Sequence, residues 1–211
     1  MCQANRRENM RKTKEDALKT RENILNAATD LFSTKGVEAT SLLEIANHAD
    51  VTRGAIYWHF KNKCEIFEAL HERMHQNFIQ IVMEDLETDH PQPLKQMEAV
   101  CSRLLTSLDD DILKRQALTL FLMKCNYIGE FSDFVAKQKQ CKTQAMMLLK
   151  QYLERAQKKG LLPADSDIDI LMTSINCYLK GVLIIYLSDP DDFDIKDMAP
   201  KLMRLFFSKL A

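Results

Sequence analysis

The sequence predicts an all-α protein, and three observations carry that reading. First, glycine and proline are scarce, five of each in 211 residues, so strands and turns have little punctuation. Second, apolar residues recur at three- and four-residue spacing through most of the chain. Third, the breaks in that pattern carry helix-end chemistry, such as Gly36, the run Asp109-Asp110-Asp111, Gly160 with Pro163, and Ser188-Asp189-Pro190. The expected architecture has about nine helices.

The first helix is expected over residues 15–35, with Leu18, Ile24, Leu25, Ala28, Leu31 and Phe32 as its apolar stripe and Gly36 as its C-terminal stop. Residues 1–9 precede a basic run, Arg11, Lys12 and Lys14, and are expected to be a disordered extension, with Met10 as an alternative start. Ser41 and Glu44 have capping-box spacing and open a second helix, whose apolar face is Leu42, Ile45, Ala46 and Ala49. Ala49-Asp50-Val51 breaks the pattern, and Thr52 supplies the next N-cap hydroxyl.

From Thr52 the inward positions are Ala55, Ile56 and Phe60, which turns Arg53, Gly54, Tyr57, Trp58 and His59 outwards. That outward set is unusual. Gly inside a helix costs about 1 kcal/mol relative to Ala, so a close approach to the backbone is expected at Gly54. Between Val51 and Cys64 there are three cations (Arg53, Lys61, Lys63) and no carboxylate, although the chain as a whole has a net charge of −1. A short, locally basic helix behind a tight turn is how helix-turn-helix proteins enter a major groove. The bland alternative is a helical hairpin whose aromatics pack on a neighbour and whose lysines are merely solvated.

The run Thr40-Ser41-Leu42…Ile45-Ala46…Ala49…Val51-Thr52-Arg53-Gly54-Ala55-Ile56-Tyr57-Trp58-His59-Phe60-Lys61-Asn62-Lys63…Ile66-Phe67 resembles the DNA-binding signature of TetR-type transcriptional repressors. Thr-Arg-Gly-Ala-Ile-Tyr-Trp-His-Phe is similar to the branch that represses multidrug efflux pumps (AcrR-, MtrR- and TtgR-like). The resemblance is dense over residues 11–67. It departs from the usual pattern at Asp50, where a Gly commonly stands; Asp tolerates the left-handed conformation better than most residues, so the same turn is expected.

The domain reading follows: residues 10–62 as the helix-turn-helix DNA-binding domain and 63–211 as a ligand-binding and dimerisation domain. The resemblance implies base contacts from Arg53, Gly54, Tyr57 and Trp58. It implies phosphate contacts from Thr40, Thr52, Tyr57, His59 and Lys63, with Arg11 and Lys12 adding phosphate or minor-groove contacts. Lys63 would be helped by the N-terminal dipole of the fourth helix.

That fourth helix is expected to run from about residue 62 to 87, with Ile66, Leu70, Met74, Phe78, Ile81 and Val82 as its stripe, until Pro91 and Pro93 stop it. Further helices are expected over residues 94–108, 110–125, 131–159, 167–188 and 195–210. The second domain is rich in Met and Phe, which suits a site that re-packs around varied apolar ligands. Its expected polar groups are His71, His75, Asn126, Tyr127, Asn176 and Tyr178, with Met74, Phe78, Phe121, Met123 and Phe134 as lining. Met123 and Asn126 stand where related sequences often have His and Glu. The resemblance implies that the last two long helices pair with their counterparts in a homodimer, as palindromic DNA requires; a well-buried monomer core is the alternative.

Other chemistry has little footing. His71 and His75, one helical turn apart, lack a third ligand at useful spacing, so no metal or cofactor is expected. The six Cys are far apart and read as reduced thiols. No catalytic motif is present: no nucleophile elbow, phosphate loop or H-E-x-x-H. No uninterrupted apolar run approaches the ~18 residues that span a bilayer, and the expected compartment is the cytoplasm. The expected function is repression of an efflux operon, relieved by lipophilic small molecules. Its rivals are a regulator of the same fold with no inducer and, more remotely, a helical enzyme.

Overall fold

The computed structural model describes the backbone of residues 2–124 and 132–210, and the side chains of residues 14–124 and 134–210. Among the described residues nine α-helices follow one another, α1 Cys2–Lys35, α2 Leu42–His48, α3 Arg53–His59, α4 Lys63–Leu86, α5 Pro93–Asp110, α6 Ile112–Thr119, α7 Ser132–Lys158, α8 Ile168–Ser188 and α9 Ile195–Phe207. Among the described residues there is no strand. One π-helical segment, Leu120–Lys124, continues α6. The helix-end signals read from the sequence thus fall within a few residues of the observed ends. The exception is α1.

α1 begins at Cys2 rather than near residue 15, so residues 2–9, expected as a disordered extension, are helical. The physical reason is that no Gly or Pro interrupts residues 2–35, and a helix once nucleated propagates through good formers until something stops it. Leu18 also departs from expectation: it is 64% exposed, whereas Ile24, Leu25, Ala28, Leu31 and Phe32 are buried. The stripe therefore starts a turn and a half later than the spacing suggested.

The chain forms two compact units, residues 1–72 and 73–211. The boundary lies inside α4, ten residues beyond the expected division at 62/63. The first turns of α4 carry fully buried Ile66 and Phe67 and nearly buried Leu70. Buried apolar side chains bind an element to the unit that covers them, which is why these turns go with the first unit.

In that unit α1 packs on α2 and α2 on α3. Helices of seven residues are not stable alone, and each of these is held by a cap. Ser41 Oγ accepts the Glu44 N–H at 3.2 Å while Glu44 Oε2 accepts the Ser41 N–H at 2.9 Å, a complete capping box. Lys35 Nζ donates to Glu44 Oε1 at 3.0 Å. These hydrogen bonds and the Lys35 ammonium hold the Glu44 carboxyl down at about 2.

In the second unit α5 packs on α9 and α7, α7 on α8, and α6 on α8. Leu105, Leu108, Tyr152, Leu153, Ile175, Tyr186, Ile195 and Met203 belong to one continuous core. The last turn of α4 is clamped by its neighbours. Gln96 Nε2 donates to Asp85 O at 2.7 Å, Tyr152 Oη to Asp85 Oδ2 at 2.8 Å, and Arg155 Nη2 to Leu86 O at 2.8 Å. Carbonyls that the helix leaves unsatisfied at its C-terminus are thereby paired.

α8 is, among the described residues, the one helix long and apolar enough to cross a membrane by length and composition. Its face is not uniformly covered: Ile170, Ile184 and Ile185 are exposed on it, as are Met198 and Leu205 on α9. α8 is thus covered on one side only within this chain.

Candidate nucleic-acid interface and ligand cavity

The turn between α2 and α3 is built from backbone hydrogen bonds. Val51 N–H donates to Ala46 O at 3.0 Å and Asp50 N–H to Asn47 O at 3.3 Å, the paired bonds of a Schellman motif. Such a motif needs a left-handed residue, and Asp50 has φ 53°, the one positive-φ non-glycine residue among those described. The expected turn is therefore made without glycine. Thr52 then caps α3, its Oγ1 accepting the Ala55 N–H at 3.1 Å.

α3 turns inwards through Ile56, and Phe60 beyond its end is also buried. Arg53, Gly54, Tyr57 and Trp58 are exposed together, Trp58 at 74%. Large aromatics at that exposure are uncommon on a monomer surface and mark an interaction face. The Arg53 guanidinium lies 5.8 Å from the Tyr57 ring centre, within cation–π range, which orders both side chains on one side of the helix.

Gly54 is informative because the protein gives no internal reason for it. A Cβ built there would meet only Thr52 Oγ1, at 3.9 Å. Neither packing nor a left-handed backbone demands a glycine in this helix.

The other residues expected at phosphates separate into different environments. Thr52 is exposed, its oxygen used by the cap. Thr40 is 2% exposed and donates its hydroxyl to Gly36 O at 2.8 Å, so it closes the α1–α2 turn instead of facing solvent. Lys63 Nζ donates to Val37 O at 3.0 Å and Glu38 O at 2.9 Å, which ties the start of α4 to the α1–α2 connection and leaves one N–H over. His59 is half-buried, and burial together with the nearby Arg21 guanidinium holds its imidazole below the usual range. It is a neutral donor near pH 7, not a cation. Lys61, not singled out by sequence as a contact, is exposed beside this face. The side chains of Arg11 and Lys12 lie outside the described residues.

The second unit contains a cavity of about 150 Å³. Met74, Phe78 and Ile81 of α4, Leu104, Leu105 and Leu108 of α5, Leu118 of α6, Leu149 of α7, and Leu179 and Leu183 of α8 make its apolar wall. Asn77, Lys114 and Cys101 complete it. Burial pushes the Cys101 thiol up to about 12, so it stays protonated and inert. Lys114 Nζ donates to Ser107 Oγ at 2.6 Å.

Of the residues expected at a ligand site, Met74 and Phe78 line this cavity. The others lie elsewhere. His71 is buried in the first unit, and His75 is buried with Nε2 3.2 Å from Gln144 Oε1. Phe121 and Phe134 are buried, and Met123 is exposed. Tyr178 donates its hydroxyl to Leu202 O at 3.2 Å and stacks on Phe206 at 4.5 Å, so α9 accounts for it. Asn176 is half-buried on α8. Asn126 and Tyr127 lie outside the described residues. The missed lining residues had a usable signal on two helices: Asn77 and Ile81 share one face of α4 with Met74 and Phe78, and Cys101, Leu104, Leu105 and Leu108 share one face of α5. Lys114 had none.

With this geometry in view, family models account for both units. "Bacterial regulatory proteins, tetR family" matches residues 24–70, and "MAATS-type transcriptional repressor, C-terminal region" matches residues 92–211. The chain belongs to the TetR family. The AcrR transcriptional regulator of Shigella flexneri is 33% identical over 90% of this chain and 88% of its own length. The BepR repressor of Brucella suis is 31% identical over 88% and 89% respectively. Among solved structures, NalD, the secondary repressor of the MexAB-OprM multidrug efflux pump of Pseudomonas aeruginosa, is 31% identical with a TM-score of 0.79, covering 93% of this chain and 98% of that one. A SmeT–triclosan complex is 28% identical with a TM-score of 0.76, covering 89% and 90%. This TetR-family chain is thus a ligand-responsive, DNA-binding transcriptional repressor and not an enzyme.

Proposed function

We propose that this TetR-family repressor acts as a homodimer on a palindromic operator of a multidrug efflux pump operon, and that a lipophilic small molecule in the second unit releases it. The observation that carries the DNA half is Gly54. The protein leaves room for a side chain there, so the close approach that excludes one comes from outside, as a sugar-phosphate backbone would. Arg53, Tyr57 and Trp58 beside it supply base-edge contacts, Arg53 as a bidentate partner of guanine. Thr52 and Lys61 hold phosphates, with Tyr57, neutral His59 and the remaining N–H of Lys63. Arg11 and Lys12 extend the phosphate contacts from α1.

Dimerisation is general to the family, and the exposed Ile170, Ile184 and Ile185 of α8 with Met198 and Leu205 of α9 suit a second copy of the same face. This use of α8 accounts for its membrane-like composition and agrees with a protein that works on DNA in the cytoplasm. Efflux regulation is supported by likeness along nearly the whole chain to repressors of such pumps.

The ligand half rests on the apolar cavity, which side chains leave open at about 150 Å³. An inducer-free regulator would have no use for it. Drug-sized ligands need about 300–1,000 Å³, so Met74 and the surrounding leucines re-pack on binding. Near-complete switching requires about 5 kcal/mol of preference for the non-binding form of the dimer. Fluorescence anisotropy on labelled DNA from upstream of the protein's own gene tests both halves. Saturable binding reversed by a lipophile is expected; binding that no lipophile affects would leave a regulator without inducer.

A further inference from the structure

The lining of the cavity is asymmetric in charge, and the inference drawn from it rests on the ligand-responsive reading above. Among the described residues lining it, Lys114 carries the only charge. No lining residue is a carboxylate, and Asn77 and the protonated Cys101 thiol are the other polar groups. Lys114 is half-buried on the first turn of α6. Its ammonium has three N–H donors, and one is used, on the neutral hydroxyl of Ser107 at 2.6 Å. Asp111 spends Oδ1 on the Lys114 backbone N–H at 2.9 Å and acts on the ammonium through its field.

A half-buried cation without a contacting anion is held at a cost. Burial moves the Lys114 amine below its ordinary range, with Asp111 opposing the shift. An anion that reached Nζ would restore what burial removed from the ammonium, through a charge-assisted hydrogen bond. A cation would meet repulsion and no acceptor of opposite charge.

We propose that the cavity selects amphipathic acids, molecules with an apolar body and one carboxylate or comparable anionic head, the head at Lys114 Nζ and the body against Leu105, Leu149, Leu179 and Leu183. Cationic lipophiles of equal size are excluded from this site.

The test uses three probes with one chain length, decanoate, decanamide and decylammonium, titrated calorimetrically into the full-length protein and into Lys114→Met and Lys114→Gln. Gln keeps a polar N–H donor at this position without the charge, and thermal melting checks that both variants are folded. Wild type is expected to bind decanoate at least tenfold more tightly than decanamide, with decylammonium weakest. In both variants the acid-to-amide ratio should fall to about one. Equal affinity for acid and amide in wild type overturns the proposal, as does a preference that survives both substitutions. If decanoate fails to bind while a neutral lipophile still releases DNA, charge selection is wrong and ligand response stands. If no lipophile releases DNA, the ligand-responsive reading itself fails.

Discussion

The hydroxyl of Tyr152, a fully buried side chain of α7, donates to Asp85 Oδ2 at 2.8 Å on the last turn of α4. Burial and the adjacent carboxylate together raise the phenol far above its ordinary range, so it acts as a permanent donor. Tyr152→Phe should destabilise the protein by about 1.5–3 kcal/mol, the usual size for a hydrogen bond to a charged group. Urea unfolding checks this, and a midpoint equal to wild type would show that Asp85 finds another partner at no cost.

Gly54→Ala should move stability and DNA affinity in opposite directions. The free protein has room for the methyl group, and Ala favours a helix by up to about 1 kcal/mol. The melting temperature should therefore rise slightly. Operator affinity, read by anisotropy, should fall tenfold or more because the added Cβ stands where DNA approaches. Equal affinity would remove the close approach from the account.

Ile185→Glu tests the apolar face of α8. Ile185 is 59% exposed in the single chain, so the change costs the monomer little. A carboxylate on each side of a two-fold contact is repulsive and desolvated. Sedimentation should show monomers at concentrations where wild type is dimeric, with operator binding lost. An unchanged dimer would place the interface elsewhere.

Strong acid should loosen the α2 cap. The Glu44 carboxyl is held at about 2 in the folded protein, below its ordinary 4.5, chiefly by the Ser41 backbone N–H and then by Lys35. A depressed carboxyl stabilises the fold above its ordinary value and loses that contribution as pH falls through the folded one. The Glu44→Gln variant should therefore lose less stability than wild type between pH 4.5 and about pH 2, measured by thermal melts. Parallel curves would contradict the role given to the box.

Much of the first unit was legible because its signals are local. Ser41 with Glu44, Asp50 in the turn, Thr52 before the next helix, and Ile56 with Phe60 inside each depend on residues a few positions apart. Lys63 was less legible for the opposite reason: it reaches Val37 and Glu38, 26 and 25 residues away. Thr40 stands outside any helix, where spacing gives no direction, and folds back onto Gly36. Helical spacing fixes a side chain's direction but not its partner. The ligand cavity was less legible still, since it gathers side chains from five helices. Spacing on α4 marked Met74 and Phe78, whereas the place of Lys114 depends on how α6 meets α5. Tyr178 looked like a pocket group and is instead held by Leu202 and Phe206 of α9.

Footprinting on the DNA upstream of the protein's own gene, with wild type and Arg53→Ala side by side, tests the central claim most directly. Wild type should protect a palindrome whose half-sites lie one helical turn or a multiple of it apart, about 34 Å per turn. Arg53→Ala should weaken that protection by about 1–3 kcal/mol and relax the preference at one base pair in each half-site. A protected site without two-fold symmetry, or one that Arg53→Ala occupies with unchanged affinity and sequence preference, would contradict the reading of α3 as the element that recognises DNA.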